Sequence, residues 1–465
     1  MKNDSLQYIS TRGHKKKLKF RDVIFEGLAP DGGLYIPENW PKLEKNIIES
    51  FKNKDYLEIA HDVISPFLDE TINDGDLKSI IKSAYKSFDT DEITPIKKID
   101  NNEYLLELYH GPTYAFKDIA MQFIARLMDY YLSKDNSSIN ILGATSGDTG
   151  AAAIEGFSNI QSTNIFVLHP HKRITEIQRK FMTTVSSKNV FNIAIEGNFD
   201  DCQQIIKSIF ADNDFKKTNK LTAVNSINWA RIMCQIVYYF YSVSRLPVGK
   251  KINFSVPTGN FGDIFAGYIA FKMGLTINDL IIATNENDIL TRTLKDGKHK
   301  LKDVVATSSP SIDIQISSNF ERLIFDITKD PGYIKNIMEE LNSKKNYTLT
   351  PDIISAMKKN FKAYTINQNE VKSLILSLYD ENQITIDPHT AVGLAASRKN
   401  QSNQCLDVVL STAHPAKFKD TVSSIIDDDS YVTNKVRKLL ELEEEMVVLK
   451  NDKEIVKKFI LENIQ

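Results

Sequence analysis

The sequence predicts an α/β protein built from parallel sheets flanked by helices, and three observations carry that expectation. Short apolar runs alternate with helix-period stretches through most of the chain. Two of those runs, Ile139–Leu142 and Ile252–Val256, pass directly into Gly-rich turns that open apolar helices. At 465 residues the chain exceeds what one hydrophobic core usually supports, so more than one domain is expected.

Taken in order, residues 1–95 form a first region. It carries the turn-rich segment Gly27–Gly33 and then helix-period stretches at Tyr56–Leu68 and Asp76–Phe88. A second region, 96–245, holds strand candidates Ile139–Leu142, Ile165–Leu168 and Phe191–Ile195. Each leads into a helix, the last two through Ile174–Thr184 and Cys202–Phe210. A third, 246–465, repeats the theme with Ile252–Val256, the helix Ile264–Met273, and strands Leu280–Ala283 and Val408–Leu410. The apolar stretch Trp229–Val243 is interrupted by Arg231 and Gln235 and is too short to span a bilayer, so it reads as a buried helix. The tail, Asn434–Gln465, reads as charged helix, with Glu441–Glu445 a solvated face.

Composition narrows the function. Hydrophobic residues are 42% and charged residues 25%, as in ordinary globular proteins. A net charge of −2 gives no reason to expect nucleic acid or an acidic membrane as partner. The polar, basic start, Met1–Lys19, lacks the apolar core of a signal peptide. Cys202, Cys234 and Cys405 are too widely spaced for a metal or redox motif, which points to a reducing cytoplasm.

Four clusters carry chemistry. In His110–Asp118 a Gly-Pro turn and the aromatic Phe116 precede Lys117, which stands at the start of the apolar stretch Ile119–Tyr131. Partial desolvation there lowers a lysine pKa and favours the neutral amine that a Schiff base needs. Taken alone, a lysine so placed reads first as a solvated lysine in a helix's first turn. Gly143–Gly150, with Thr145, Ser146, Asp148 and Thr149, joins a strand to a helix and offers amides and hydroxyls to a carboxylate or phosphate. Pro257–Asp263, with Gly259, Asn260, Phe261 and Gly262, repeats that arrangement. It lacks both the P-loop ending and the dinucleotide spacing, so a small phosphate fits it better than a nucleotide. Leu410–Pro415 places Ser411 and Thr412 at the carboxyl end of a strand, where α/β proteins bind ligands. His389 and His414 have no metal-type spacing and read as hydrogen-bonded structural histidines; no metal site is expected.

Together these residues resemble the threonine synthase family, in its long form, among the pyridoxal-phosphate enzymes of fold type II. The resemblance runs in order over nearly the whole chain. It begins at Tyr8–Gly13 and Gly27–Pro37 and continues through the lysine cluster, Thr145–Gly150, Asn225–Arg231 and the Gly259 turn. It ends with Ala283–Asp288, Pro310–Asp313, Ser318–Arg322, Asp387–Ala391 and Ser411–Lys417. It implies a tryptophan synthase β-like fold with an N-terminal extension. Residues 96–245 would hold the lysine and the substrate carboxylate loop, and 246–465 the cofactor phosphate loop.

By position, the resemblance makes Lys117 the Schiff-base lysine, with Phe116 beside the cofactor. Gly259, Asn260, Phe261 and Gly262 would hold the cofactor phosphate, and Thr412 would face the pyridine nitrogen. Asp148 stands where short-form relatives carry Asn near the phenolic oxygen. Thr145, Ser146 and Thr149 would hold the substrate carboxylate, and Ser226, Asn228 and Arg231 the substrate phosphate. For Arg231 a packing or salt-bridge role remains open. One departure is His169–Thr175, where the family pattern has a glycine before a lysine.

The implied reaction converts O-phospho-L-homoserine and water to L-threonine and phosphate, in a cytoplasmic enzyme expected as a monomer, with a dimer possible. The alternatives are a phospho-lyase or amino-acid dehydratase on the same fold and, in another class, a non-catalytic binding protein.

Overall fold

A computed structural model describes residues 6–145, 147–223, 225–400 and 404–464. The strand candidates all form, and they sort into two parallel sheets. The larger runs Phe361–Thr365, Asp279–Thr284, Lys251–Pro257, Cys405–Ser411, Glu103–Glu107 and Ile96–Lys98, with only the last strand antiparallel. The smaller runs Val447–Lys450, Val190–Glu196, Thr163–Pro170, Ile139–Ala144 and Leu221–Thr222, all parallel.

Strand order interleaves the chain across residue 245. Glu103–Glu107, from the second region, pairs with Cys405–Ser411 of the third, and Val447–Lys450 returns to extend the smaller sheet. Sheet membership therefore departs from a linear division at 245, because a parallel neighbour is reached by a crossover and need not be near in sequence. The tail is likewise not helical throughout. The β-branched pair Val447–Val448 forms a strand between helices Asn434–Glu441 and Lys453–Asn463. Nor is Glu441–Glu445 wholly a solvated face. Glu444 makes a bidentate ion pair with Arg179 (2.7 and 2.9 Å) and accepts from Thr183 Oγ1.

Alternate residues on each strand face different cores, as the pleat requires. In the smaller sheet Ile141, Ile165 and Val167 turn toward the main core, while Leu142, Phe166 and Leu168 pack outward under helices Phe199–Ala211 and Lys453–Asn463. In the larger sheet Phe254 and Val256 face the main core. Ile281 and Val409 pack under Gln368–Asn382 and Pro388–Asn400 on the other side. Helices Lys117–Lys134 and Trp229–Arg245 pack against each other in the main core, and residues 229–242 are buried without a break.

The N-terminal region shares that main core. Its Tyr8, Trp40 and Phe67 rings lie 5.8–6.0 Å from the fully buried Trp229, at the start of the long apolar helix. Buried Arg322 stands over the same indole and donates to the carbonyls of Tyr35 (3.0 Å) and Ile227 (2.7 Å). Arg12 pairs with Glu321 at 2.7 Å, tying the same helix, Phe320–Thr328, to the first residues of the chain.

Among the described residues no helix is long and apolar enough to cross a membrane. Trp229→Ala removes the ring on which three aromatic side chains converge. It is expected to lower the unfolding free energy by about 3–5 kcal/mol, read from the urea midpoint.

Candidate active site

The carboxyl ends of the parallel strands bring together turns that lie far apart in sequence. The His110–Phe116 turn follows Glu107, Thr145 follows Ala144 with Gly147 before the next helix, residues 258–261 follow Pro257, and Thr412 follows Ser411. One cavity of about 640 Å³, counting its mouth, is lined by Lys117, Thr149, Arg231, the Gly259–Gly262 turn and Thr412.

Lys117 is the first residue of helix Lys117–Lys134, and its position is fixed by the turn before it. Asp118 reaches back to accept from Thr113 N (2.8 Å) and Thr113 Oγ1 (2.7 Å). Phe116 N donates to Thr412 O at 2.9 Å, and His414 N donates to Tyr114 O at 3.1 Å. The lysine turn is thus zipped to the segment after Ser411. The Lys117 side chain is 13% exposed, and its Nζ lies 5.5 Å from the Phe116 ring centroid. Burial pulls its pKa below the ordinary lysine value, and Lys417 and Arg231 push the same way against Asp148.

Asp148 opens helix Asp148–Phe157, where the positive end of the helix dipole favours a carboxylate. Its Oδ2 lies 3.2 Å from Lys117 Nζ and accepts from Ser311 Oγ at 3.2 Å. Its Oδ1 lies 2.8 Å from Lys417 Nζ and accepts from Gln178 Nε2 at 3.2 Å. Burial disfavours the charge, but Lys117 and Lys417 outweigh it and hold the carboxyl well below the usual range. Gly147 enters this helix at φ +146°, and a Cβ there would come within 3.0 Å of the Gln178 side chain. Thr145 is spent inside the turn, since its Oγ1 accepts from Gly147 N (3.0 Å) and Gly150 N (2.9 Å). Ser146 lies outside the described residues.

The second turn is held from behind. Gly259 O accepts from Ser317 Oγ (2.6 Å), and Asn260 O accepts from Asn319 Nδ2 (2.9 Å). A Cβ on Gly259 would lie 3.0 Å from Ser311 O, a tight contact with backbone that glycine avoids. Phe261 takes a left-handed conformation (φ 63°) and starts helix Gly262–Met273. The N–H groups of the first turn have no intrahelical acceptor and form an anion site.

Asp263, in that first turn, is buried with Oδ2 unpartnered, while Tyr238 and Tyr239 donate to Oδ1. Burial raises its pKa to about 7 despite those bonds.

Arg231 lines the cavity at 4% exposure, and its Nε and Nη1 have no partner. An unpaired buried guanidinium is costly and is suited to a phosphate ligand. No packing ion pair accounts for it among the described residues. Ser226 also lines the cavity. Asn228 does not: its amide donates to Ile24 O (2.9 Å) and its carbonyl caps Ala230 N (3.0 Å). The expectation of a phosphate contact from Asn228 is corrected accordingly, because its carbonyl caps the helix start and its amide is bound to Ile24 O of helix Phe20–Glu26.

Four residues at the site were given no role from sequence: Lys417, Ser311, Gln178 and Asp263. Ser311 and Lys417 fall within segments that carry the family resemblance, but their meeting at Asp148 needs the fold. His389 is held as a structural histidine. Its Nε2 accepts from Ser311 N (3.1 Å), so Nδ1 carries the proton donated to Asp387 (2.9 Å). His414 accepts from Ala416 N through Nδ1 and stacks on Tyr114, and burial lowers its pKa to about 4. No cluster of metal ligands occurs among the described residues.

A lysine with a depressed pKa, an amide-rich turn and an unpaired arginine in one cavity on this fold define a pyridoxal-phosphate enzyme of fold type II. The family model for pyridoxal-phosphate dependent enzymes matches residues 90–410. Those for the threonine synthase N terminus and C-terminal part match 7–85 and 390–460. The chain belongs to the threonine synthase family. It is 43% identical to threonine synthase of Pseudomonas aeruginosa, covering 98% of each chain. A pyridoxal-phosphate-bound threonine synthase from Brucella melitensis superposes with a TM-score of 0.96 at 43% identity, covering 99% of this chain and 100% of that one. The yeast enzyme gives 0.94 at 39%, with 99% of each covered. The cofactor is pyridoxal phosphate, and the residues in the cavity suit it.

The Asp263 pKa gives a test of the site's electrostatics. Its folded value lies above the ordinary 3.8, so the native protein holds an extra proton between about pH 4 and 7. Stability of the cofactor-free protein should fall as pH rises through that window. Asp263→Asn should remove that part of the slope, measured by urea unfolding across the pH series.

Proposed function

We propose that this cavity carries out the family reaction through Lys117, converting O-phospho-L-homoserine and water to L-threonine and phosphate. The observation that carries the reading is one desolvated lysine set between an amide-rich anion turn and an unpaired buried arginine. Such a site offers two separate sets of anion-binding groups, one for the cofactor phosphate and one for the substrate phosphate.

Lys117 holds the cofactor. The turn Gly259–Gly262 and the first N–H groups of its helix receive the cofactor phosphate, and Thr412 offers a neutral hydroxyl to the ring nitrogen. Asp148 stands on the phenolic-oxygen side. When bound, the cofactor supplies an electron sink for negative charge at the substrate Cα. The Lys117 amine, freed when substrate takes its place, takes the Cα proton and handles protons at Cβ and Cγ. Thr149 and the amides of its turn orient the carboxylate, while Thr145 contributes by holding that turn in shape. Arg231, with Ser226, binds the γ-phosphate and carries its charge as the C–O bond breaks. Water then adds at Cβ. The overall change is that of a carbon–oxygen lyase acting on a phosphate ester.

We read the protein as a cytoplasmic monomer acting on a small molecule. Cys202 and Cys234 are buried thiols outside any disulfide, which suits a reducing compartment.

Lys117→Ala should cut turnover at least about a thousandfold while circular dichroism stays native. Product analysis separates the reactions open to this fold. Threonine with equimolar phosphate is expected, whereas 2-ketobutyrate as sole product would overturn the reading in favour of a lyase or dehydratase. Arg231→Met should lower kcat/KM for phosphohomoserine by roughly 10²-fold, because it leaves a phosphate buried without its cation. Cofactor affinity should change little.

A further inference from the structure

The site contains a second lysine, more deeply buried than the first. Lys417 is fully shielded from solvent, with its Nζ 2.8 Å from Asp148 Oδ1 and donating to Thr113 O at 2.8 Å. It also lies 5.0 Å from the Phe181 ring centroid. Asp148 therefore serves two ammonium groups, one on each oxygen, with the closer contact to Lys417.

We propose that Lys417 is a positioning residue that claims the Asp148 charge and so leaves the Lys117 amine free to shed its proton and take up the cofactor. The inference rests on Lys117 being the lysine that holds pyridoxal phosphate.

Charge balance at Asp148 decides whether Lys117 keeps its proton. Attachment requires a neutral amine: the Lys117 nitrogen lone pair adds to the cofactor aldehyde carbon and a C=N bond forms. The aldehyde oxygen leaves as water, with the two amine protons. With Asp148 as sole counter-ion, Lys117 would form an ordinary buried ion pair and stay protonated. With Lys417 holding Oδ1, the pair Asp148–Lys417 is neutral by itself. A proton on Lys117 then faces two cations, Lys417 and, lining the same cavity, Arg231.

The remaining groups leave that balance intact. His389, which also acts on Asp148, has its Nε2 engaged as an acceptor from Ser311 N. Asp118 is within electrostatic reach of Lys417 but is bonded to Thr113, and burial raises its pKa to about 6. Asp263 lies on the helix of the other anion turn.

The second bond of Lys417, to Thr113 O, explains why a lysine is placed here. Thr113 belongs to the turn that sets Lys117, so one ammonium fixes both the carboxylate and the turn presenting the reactive amine. The segment carrying it, Pro415–Phe418, follows directly on the Thr412–His414 contacts that zip this turn in place.

The experiment is the pH dependence of pyridoxal phosphate attachment to full-length protein stripped of cofactor, followed by visible absorbance. Borohydride reduction and peptide mapping identify the lysine that is labelled. Lys417→Met should move the profile to more alkaline pH by about one unit or more, a tenfold slower attachment at fixed pH. Lys417→Arg should restore most of the shift. Because Lys417→Met breaks a buried pair, the same comparison is made without the pair. Asp148→Asn should move the profile to acid, and Asp148→Asn with Lys417→Met should lie alkaline of Asp148→Asn alone. If neither Lys417→Met nor the double variant moves the profile, the proposal is overturned, whatever the loss of stability. If the label falls on another lysine, the assignment of Lys117 itself fails, which is a distinguishable result.

Discussion

Asp148 stands between two buried ammonium groups, Lys117 on one oxygen and Lys417 on the other, and much of the site is arranged around that carboxylate. Gln178, from the helix after strand Thr163–Pro170, and Ser311, from the segment before helix Phe320–Thr328, each donate to one of its oxygens. Each of these contacts joins a different part of the fold. The smaller sheet supplies Asp148 through its Ile139–Ala144 strand, and the larger sheet supplies the Lys117 turn and Lys417 through two adjacent strands. A buried charge tolerates little misplacement, so the two sheets are held in one relative position by its need for partners.

The charged groups of the site fall into two sets. Around Asp148 stand the two lysines, and burial lowers the pKa of Lys117. Lining the cavity, the Gly259 turn and the unpaired Arg231 offer donors to anions. Asp263 fits this division only when protonated, since an ionised carboxylate in the first turn of that helix would oppose a phosphate. Burial favours the neutral form near pH 7 and below, against the two tyrosine hydroxyls that donate to the carboxylate.

Much of this was legible in the residues. The alternation of apolar runs and helix-period stretches gave the parallel sheets, because strands buried on both faces must be apolar throughout. The Gly-rich turns after Ile139–Leu142 and Ile252–Val256 marked two turns that meet at the carboxyl ends of the strands, whereas Lys117 stood out only when read with them and with the family resemblance. Short or edge strands were hidden. Glu103–Glu107 is flanked by acids, Leu221–Thr222 has two residues, and Val447–Lys450 sits in a charged tail. Their pairing comes from neighbours distant in sequence. Lys417 and Ser311 were invisible as site residues for the same reason: they lie 269 and 163 positions from Asp148, and only the sheet order brings them to it. Asn228 shows the converse, since Asn beside a helix start suits a cap as well as a ligand.

The central claim is that one lysine is flanked by two distinct phosphate sites. Its most direct test is a crystal structure with pyridoxal phosphate and a phosphonate analogue of phosphohomoserine. The account predicts the cofactor phosphate on the amides of Gly259–Asp263 and the phosphonate against Arg231, with Lys117 between them. A phosphonate bound away from Arg231, or a cofactor joined to another lysine, would contradict it.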